Sequence, residues 1–249
     1  MKFGVIGGVQ PEDQRSTQAT LARLARAESQ GFEAAWIAAN DAGGGAAGRS
    51  LFAAVTLAER TERVRIGLWG VLDPALHPLR LAEDLAVLDI VSGGRLDWAP
   101  TGSGLEEPLE VVALAWQGEA FAHEGERFQF PELVCLPVPE QKPHPMVWLP
   151  ADGTRRPDPW DPDRCGRLIG PPIPDSGGLA DGEGPRALVY PLEVAAAQRR
   201  AALADSLAEL AALHDPETIL IWPGAGRVSE AEALAVQDAF AEACLGGPR

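Results

Sequence analysis

Residues Leu76 to Arg95 read LHPLRLAEDLAVLDIVSGGR, and they hold the start, stripe and stop of one helix and the approach to a strand. Pro78 suits the first helical position, where its missing N–H costs nothing. Leu81, Leu85 and Leu88 fall at i, i+4 and i+7, so one apolar stripe faces a core. Gly93 and Gly94 permit a left-handed ending. His77 reads as a helix cap or packed turn. Asp89 and Arg95 read as a structural ion pair across the helix–strand turn.

The same alternation extends in both directions from this stretch. Phe3 to Gly7, Phe32 to Ala38 and Val64 to Leu72 read as buried strands. Between them, Thr17 to Gln30 carries Leu21, Leu24 and Ala25 at helical spacing and stops at Gly31. A second helix is expected from an N-cap at Ser50 to Arg60. Downstream come a fourth strand (Leu96 to Ala99), a helix (Pro108 to Trp116), a hairpin around Gly125 (Glu119 to Phe130) and a fifth strand (Met146 to Leu149). Pro150 to Pro185 is rich in proline and glycine, with a stunted sixth strand at Arg167 to Gly170. Ala187 to Tyr190 and Thr218 to Trp222 bring the strands to eight. Helices are expected from about Glu193 to Leu213 and from Ser229 to just before Gly246.

Strands alternating with helices predict a parallel sheet with helices outside it. Eight strands predict a compact α/β fold, a (β/α)8 TIM-type barrel, trimmed or irregular after the fifth strand. At 249 residues the chain has the length of one such domain, 1–249, with the irregular segment at about 150–186. The net charge of −15 argues against nucleic acid as a partner. Three widely spaced cysteines, Cys135, Cys165 and Cys244, fit neither a disulfide framework nor a zinc ribbon. No apolar run approaches ~18 residues, so no membrane span is expected. With no leader pattern at Val5-Ile6-Gly7, the expected location is cytoplasmic. The four histidines show no paired spacing, and no metal site is expected.

The opening stretch resembles the third helix and following strand of the bacterial-luciferase-like family of flavin monooxygenases and their deazaflavin-using relatives. Gly31 to Trp36 (GFEAAW) is similar to the family's second strand, and Thr61 to Gly67 (TERVRIG) to its third-strand entry. Trp116-Gln117-Gly118, Gly125-Glu126-Arg127-Phe128 and Pro137 to Trp148 resemble later signatures, in the family's order. The resemblance implies FMN or F420 across the C-terminal mouth of the barrel, a small-molecule substrate, and dimers paired through early helices. Either a homodimer or a heterodimer with a full-length relative follows from it.

Carried residue by residue, the comparison sets a cofactor pocket of Asn40, Trp69, Gly70, Thr101, Gly102, Gly153 and Thr154. The chemistry at these positions departs from the family pattern. Where the family presents an acid and histidines, this chain has Ala39-Asn40-Asp41, which also suits a simple turn. Asparagine hydrogen-bonds but cannot act as an acid or base, although Asp41 can serve as a base. Small residues usually lie under the flavin ring; here Trp69 either stacks on the ring or occupies its space. The family's Arg-Gly after the fourth strand falls on Gly102, and the lid before the next helix is nearly absent. Arg155 and Arg156 beside Thr154 would suit a phosphate. Two functions follow: a luciferase-like flavin- or F420-dependent oxidoreductase or monooxygenase, or a non-catalytic barrel acting as a structural or binding partner.

Overall fold

The computed structural model describes residues 1–9, 14–39, 46–70, 76–151, 154–170, 184–193, 200–224 and 227–246. Eight parallel strands close into a barrel: β1 (Lys2–Val9), β2 (Ala34–Ala39), β3 (Arg65–Trp69), β4 (Leu96–Ala99), β7 (Met146–Pro150), β8 (Cys165–Ile169), β9 (Arg186–Leu192) and β10 (Thr218–Pro223). Their order around the ring follows the chain, and β1 pairs with both β2 and β10. The remaining strands, β5 (Phe121–Glu124) and β6 (Gln129–Leu133), form the predicted antiparallel hairpin outside the ring. The described helices are α1 (Gln14–Gln30), α2 (Ala46–Glu59), α3 (Pro78–Val91), α4 (Glu106–Ala115), α5 (Arg200–His214) and α6 (Glu230–Phe240). Among the described residues, no helix is long and apolar enough to cross a membrane.

The barrel is plugged by large residues set against glycines on neighbouring strands. Trp36 on β2 pairs in register with Gly67 on β3, and a Cβ at Gly67 would overlap its indole. Trp148 on β7 repeats the device with Gly166 on β8. Both indoles are buried, and Ile6, Leu168, Val189 and Leu220 fill the space beside them. Period-2 alternation sends the other residues of each strand outward to the helices, where Leu81, Leu85 and Leu88 of α3 are buried as their spacing predicts.

Within the opening stretch, His77 caps α3, its ring accepting from the Leu79 N–H at 3.3 Å, and Pro78 takes the first helical position. Gly93 and Gly94 adopt φ of +67° and +75°, the left-handed ending that only glycine makes cheaply. The expected Asp89–Arg95 ion pair does not form. Asp89, fully buried, accepts from the Leu96 N–H at 3.3 Å and from Gln141 at 2.8 and 2.7 Å. Arg95 instead donates to the carbonyls of Ala58 and Val64 and to the Thr61 hydroxyl, tying α2 to β4. Each buried group found donors or acceptors left over at element ends, which satisfies more atoms than one ion pair would.

Ser50 is not a cap either. The helix begins a turn earlier at Ala46, because Ala46 and Ala47 are strong helix formers, and Ser50 lies buried within it. Ser229 does cap α6, in a reciprocal capping box with Glu232. The predicted trimming after the fifth barrel strand is present: between β7 and β8 the described residues hold one 3-10 turn, Pro162–Arg164. Trp160 covers the barrel wall there, stacking on Trp116 at 5.9 Å and meeting Trp98 edge-on at 6.3 Å.

Candidate functional site

At the carboxyl ends of the strands, β3 and β10 bring two indoles together. Trp69 and Trp222 meet edge to face, 5.2 Å between centroids at 72°, above the buried Trp36 and Trp148 layer. Trp69 therefore points into the barrel mouth. Gly170, at the end of β8, lies under it, since a Cβ there would reach the ring at 3.9 Å. Both indoles are half-buried, and the Trp222 N–H is enclosed with no acceptor among the described residues.

The other expected site residues divide. Asn40 and Gly153 lie outside the described residues, as does Asp41. Gly70 follows Trp69 and donates its N–H to the Ala99 carbonyl at 2.9 Å, which joins the ends of β3 and β4. Thr101, half-buried, and Gly102, exposed, follow β4 on the same rim. Thr154 is buried past β7, and its carbonyl accepts from Arg167 at 2.6 Å. The adjacent arginines are held locally: Arg155 pairs with Asp158 at 3.1 Å, and Arg156 donates to the Trp160 carbonyl. Arg155 is exposed, which matches a solvated loop pair, and both arginines keep further donors open among the described residues. The β4–α4 connection is short, as the sequence implies, and Glu107 at the head of α4 turns back to hold the hairpin.

Trp222 was not among the expected site residues. The signal for it was available, since Leu220 and Trp222 share one face of a strand with period 2.

The amino ends of the strands carry a different site, which the sequence reading did not anticipate. A cavity of about 580 Å³ opens there, walled by Trp36, Trp148 and Met146. Arg65 on β3 donates to one carboxylate oxygen of Asp97 on β4, at 2.8 and 2.5 Å. Burial pushes the Asp97 carboxyl above the ordinary carboxylate range, against the opposing pull of Arg65. Gln141 accepts from both Arg65, at 3.1 Å, and Arg164, at 2.6 Å, through one amide oxygen. Burial drives the Cys165 thiol up to about 12, away from the thiolate form. Among the described residues, no group of His, Cys, Asp and Glu could hold a metal ion.

The class defined by this geometry is a closed parallel β/α barrel with an aromatic carboxyl rim. Residues 1–99 match the model of the luciferase-like monooxygenase family. The chain is 34% identical over 116 residues to the oxygenase component of a flavin-dependent trigonelline monooxygenase from Acinetobacter baylyi, covering 38% of this chain and 32% of that one. It is 35% identical over 101 residues to an alkanal monooxygenase alpha chain from Photobacterium phosphoreum, covering 39% and 29%. The matches thus span about a third of the length of these relatives. In fold, the likeness covers 99% of both this chain and the monooxygenase RslO1 from Streptomyces bottropensis, with a TM-score of 0.75 at 20% identity. It covers 96% of this chain and 97% of the F420-dependent tetrahydromethanopterin reductase from Methanopyrus kandleri, with a TM-score of 0.61 at 14% identity.

Proposed function

We propose that residues 1–249 form one luciferase-like barrel domain that binds FMN or F420 at its carboxyl mouth and oxidises a small-molecule substrate. The observation that carries this reading is the Trp69–Trp222 pair on the rim of a closed parallel barrel. Two half-buried indoles set edge to face give one apolar ring face on which a tricyclic ring can stack, with the second indole standing at its edge. The enclosed Trp222 N–H is a donor lacking an acceptor among the described residues, which suits a ring edge carrying oxygen or nitrogen. Asn40, Gly70, Thr101, Gly102, Gly153 and Thr154 complete the proposed pocket. When bound, the group supplies the redox chemistry. The chain's residues bind and orient it, and the plug of Trp36 and Trp148 keeps water from reaching it through the barrel.

Homodimerisation, or pairing with a full-length relative, belongs to the same proposal, as does a cytoplasmic location. Phe52 on α2 and Val87, Ile90 and Val91 on α3 are exposed apolar residues on two helices packed together.

The second reading, a non-catalytic barrel serving as a structural or binding partner, is favoured by the same Trp69, whose indole lies in the mouth of the barrel. Fluorescence titration with FMN and with F420 separates the two. Saturable binding of one of them near or below about 10 μM supports the oxidoreductase. Absence of saturation with both at ~1 mM removes it and leaves the partner reading. That reading would in turn be lost if sedimentation gave only a monomer, alone and with a full-length relative.

A further inference from the structure

The cavity at the amino end of the barrel lies on the face opposite the proposed flavin rim, and the buried Trp36 and Trp148 layer separates the two. Its volume, about 580 Å³, is that of a small-molecule site. Its wall carries two guanidiniums, Arg65 and Arg164, with the carboxylate of Asp97 on Arg65 and that of the buried Asp89 behind Gln141. Both arginines are fixed in place by the Gln141 amide oxygen, which is itself oriented by Asp89. Arg65 uses its Nε and Nη2 on Asp97, Leu96 and Gln141. Arg164 uses its Nε on the His144 carbonyl and its Nη2 on Gln141. The Nη1 group of each therefore has no acceptor among the described residues. The other charges on the wall are neutralised in pairs, Lys2 with Glu217 and Arg63 with Glu28. Glu33 and Asp163 sit exposed at the outer edge.

The geometry points to a second ligand site at this mouth, one that takes a small organic carboxylate with a flat apolar body. The carboxylate bridges the open Nη1 groups of Arg65 and Arg164, taking a charge-assisted hydrogen bond from each. The body lies along Trp36, Trp148 and Met146. Asp97 does not exclude such an anion, because Arg65 engages it on Nε and Nη2 and leaves its Nη1 open beside that of Arg164. The site does not depend on flavin binding at the opposite rim.

The test uses sodium benzoate as probe and benzamide as its uncharged isostere, in calorimetric titrations of the full chain at fixed ionic strength. Benzoate is expected to bind saturably and at least about tenfold more tightly than benzamide. Arg164→Gln is expected to remove that preference, with a thermal midpoint close to that of the parent. Thr218→Phe fills the cavity from β10, a strand that carries neither guanidinium, and is expected to abolish benzoate binding. Equal affinity for the two probes overturns the proposal, as does undiminished benzoate binding in the folded Arg164→Gln or Thr218→Phe protein. So does a lack of saturation by ~20 mM.

Discussion

At the carboxyl end of the barrel two indoles, Trp69 and Trp222, close the mouth edge to face, whereas at the amino end Arg65, Asp97 and Arg164 ring an open cavity. The same strands build both ends, and the difference comes from which inward position of each strand is polar. β3 shows it within five residues: Arg65 at one end, Gly67 in the middle, Trp69 at the other. An aromatic rim half-buries itself and leaves an apolar surface. A charged rim must keep its hydrogen bonds and some water, so it leaves a hollow. Between them the Trp36–Gly67 and Trp148–Gly166 contacts form a close-packed partition. The two ends should therefore respond independently to substitution.

The largest expected effect breaks the partition itself. Gly67→Ala drives a Cβ into the Trp36 indole on the paired strand, with no flexible neighbour to yield. A loss of about 3 kcal/mol or more is expected from urea unfolding, at the upper end of overpacking costs. Adding Trp36→Leu should return part of that loss, which distinguishes a steric clash from a backbone effect of alanine. A single substitution with stability near the parent would mean that the layer is not packed as described.

Next comes the support of the charged end. Asp89→Ala leaves the Leu96 N–H and both Gln141 donors without their acceptor in a fully buried place. The expected cost is about 2–3 kcal/mol by denaturant unfolding. Because Gln141 positions Arg65 and Arg164, benzoate binding should weaken as well, while flavin binding at the other mouth stays unchanged. Equal weakening at both ends would show that the partition transmits strain.

A smaller effect is expected at the aromatic rim. Trp69→Ala removes one of the two indoles and should weaken FMN or F420 binding about tenfold, close to 1.4 kcal/mol. Tighter binding in this variant would show that the indole occupies the ring's space, as the partner reading holds. Stability should change little by comparison, since Trp69 is half-buried and Trp36 remains beneath it.

The contrast between the two ends also explains what could be read from the residues alone. Strand and helix periodicity, Pro78, Gly93 and Gly94 are local signals, and they led directly to a barrel with a trimmed segment after its fifth strand. The aromatic rim was half legible: Trp69 came through the family resemblance, while Trp222, eight-strand closure away in sequence, did not. The charged end was not legible. Arg65, Asp97, Gln141 and Arg164 lie on separate elements, and nothing in their spacing predicts that one amide oxygen would hold two guanidiniums. Asp89 and Arg95 show the same limit, for proximity in sequence suggested a pair that competing buried acceptors and donors dissolved.

The smallest expected effect lies outside the barrel, where one carboxylate fastens the hairpin. Glu107 accepts from the N–H groups of Arg127 and Phe128, at 3.0 and 2.8 Å, and lies 3.3 Å from the His123 ring. Partial burial opposes its charge, but these donors outweigh burial and hold the carboxyl below the ordinary carboxylate range. A carboxyl depressed in the folded state contributes stability fully above its unfolded value, near 4.3, and loses it as pH falls through the folded value. The amide resonances of Arg127 and Phe128 should therefore shift together below about pH 4, before those of Leu96 or Ile219 in the barrel. Glu107→Gln should abolish that acid step at a cost under about 1 kcal/mol, since the group is near the surface. If the hairpin amides moved only with the barrel, Glu107 would not be what fastens it, and α4 packing alone would have to hold β5 and β6 in place.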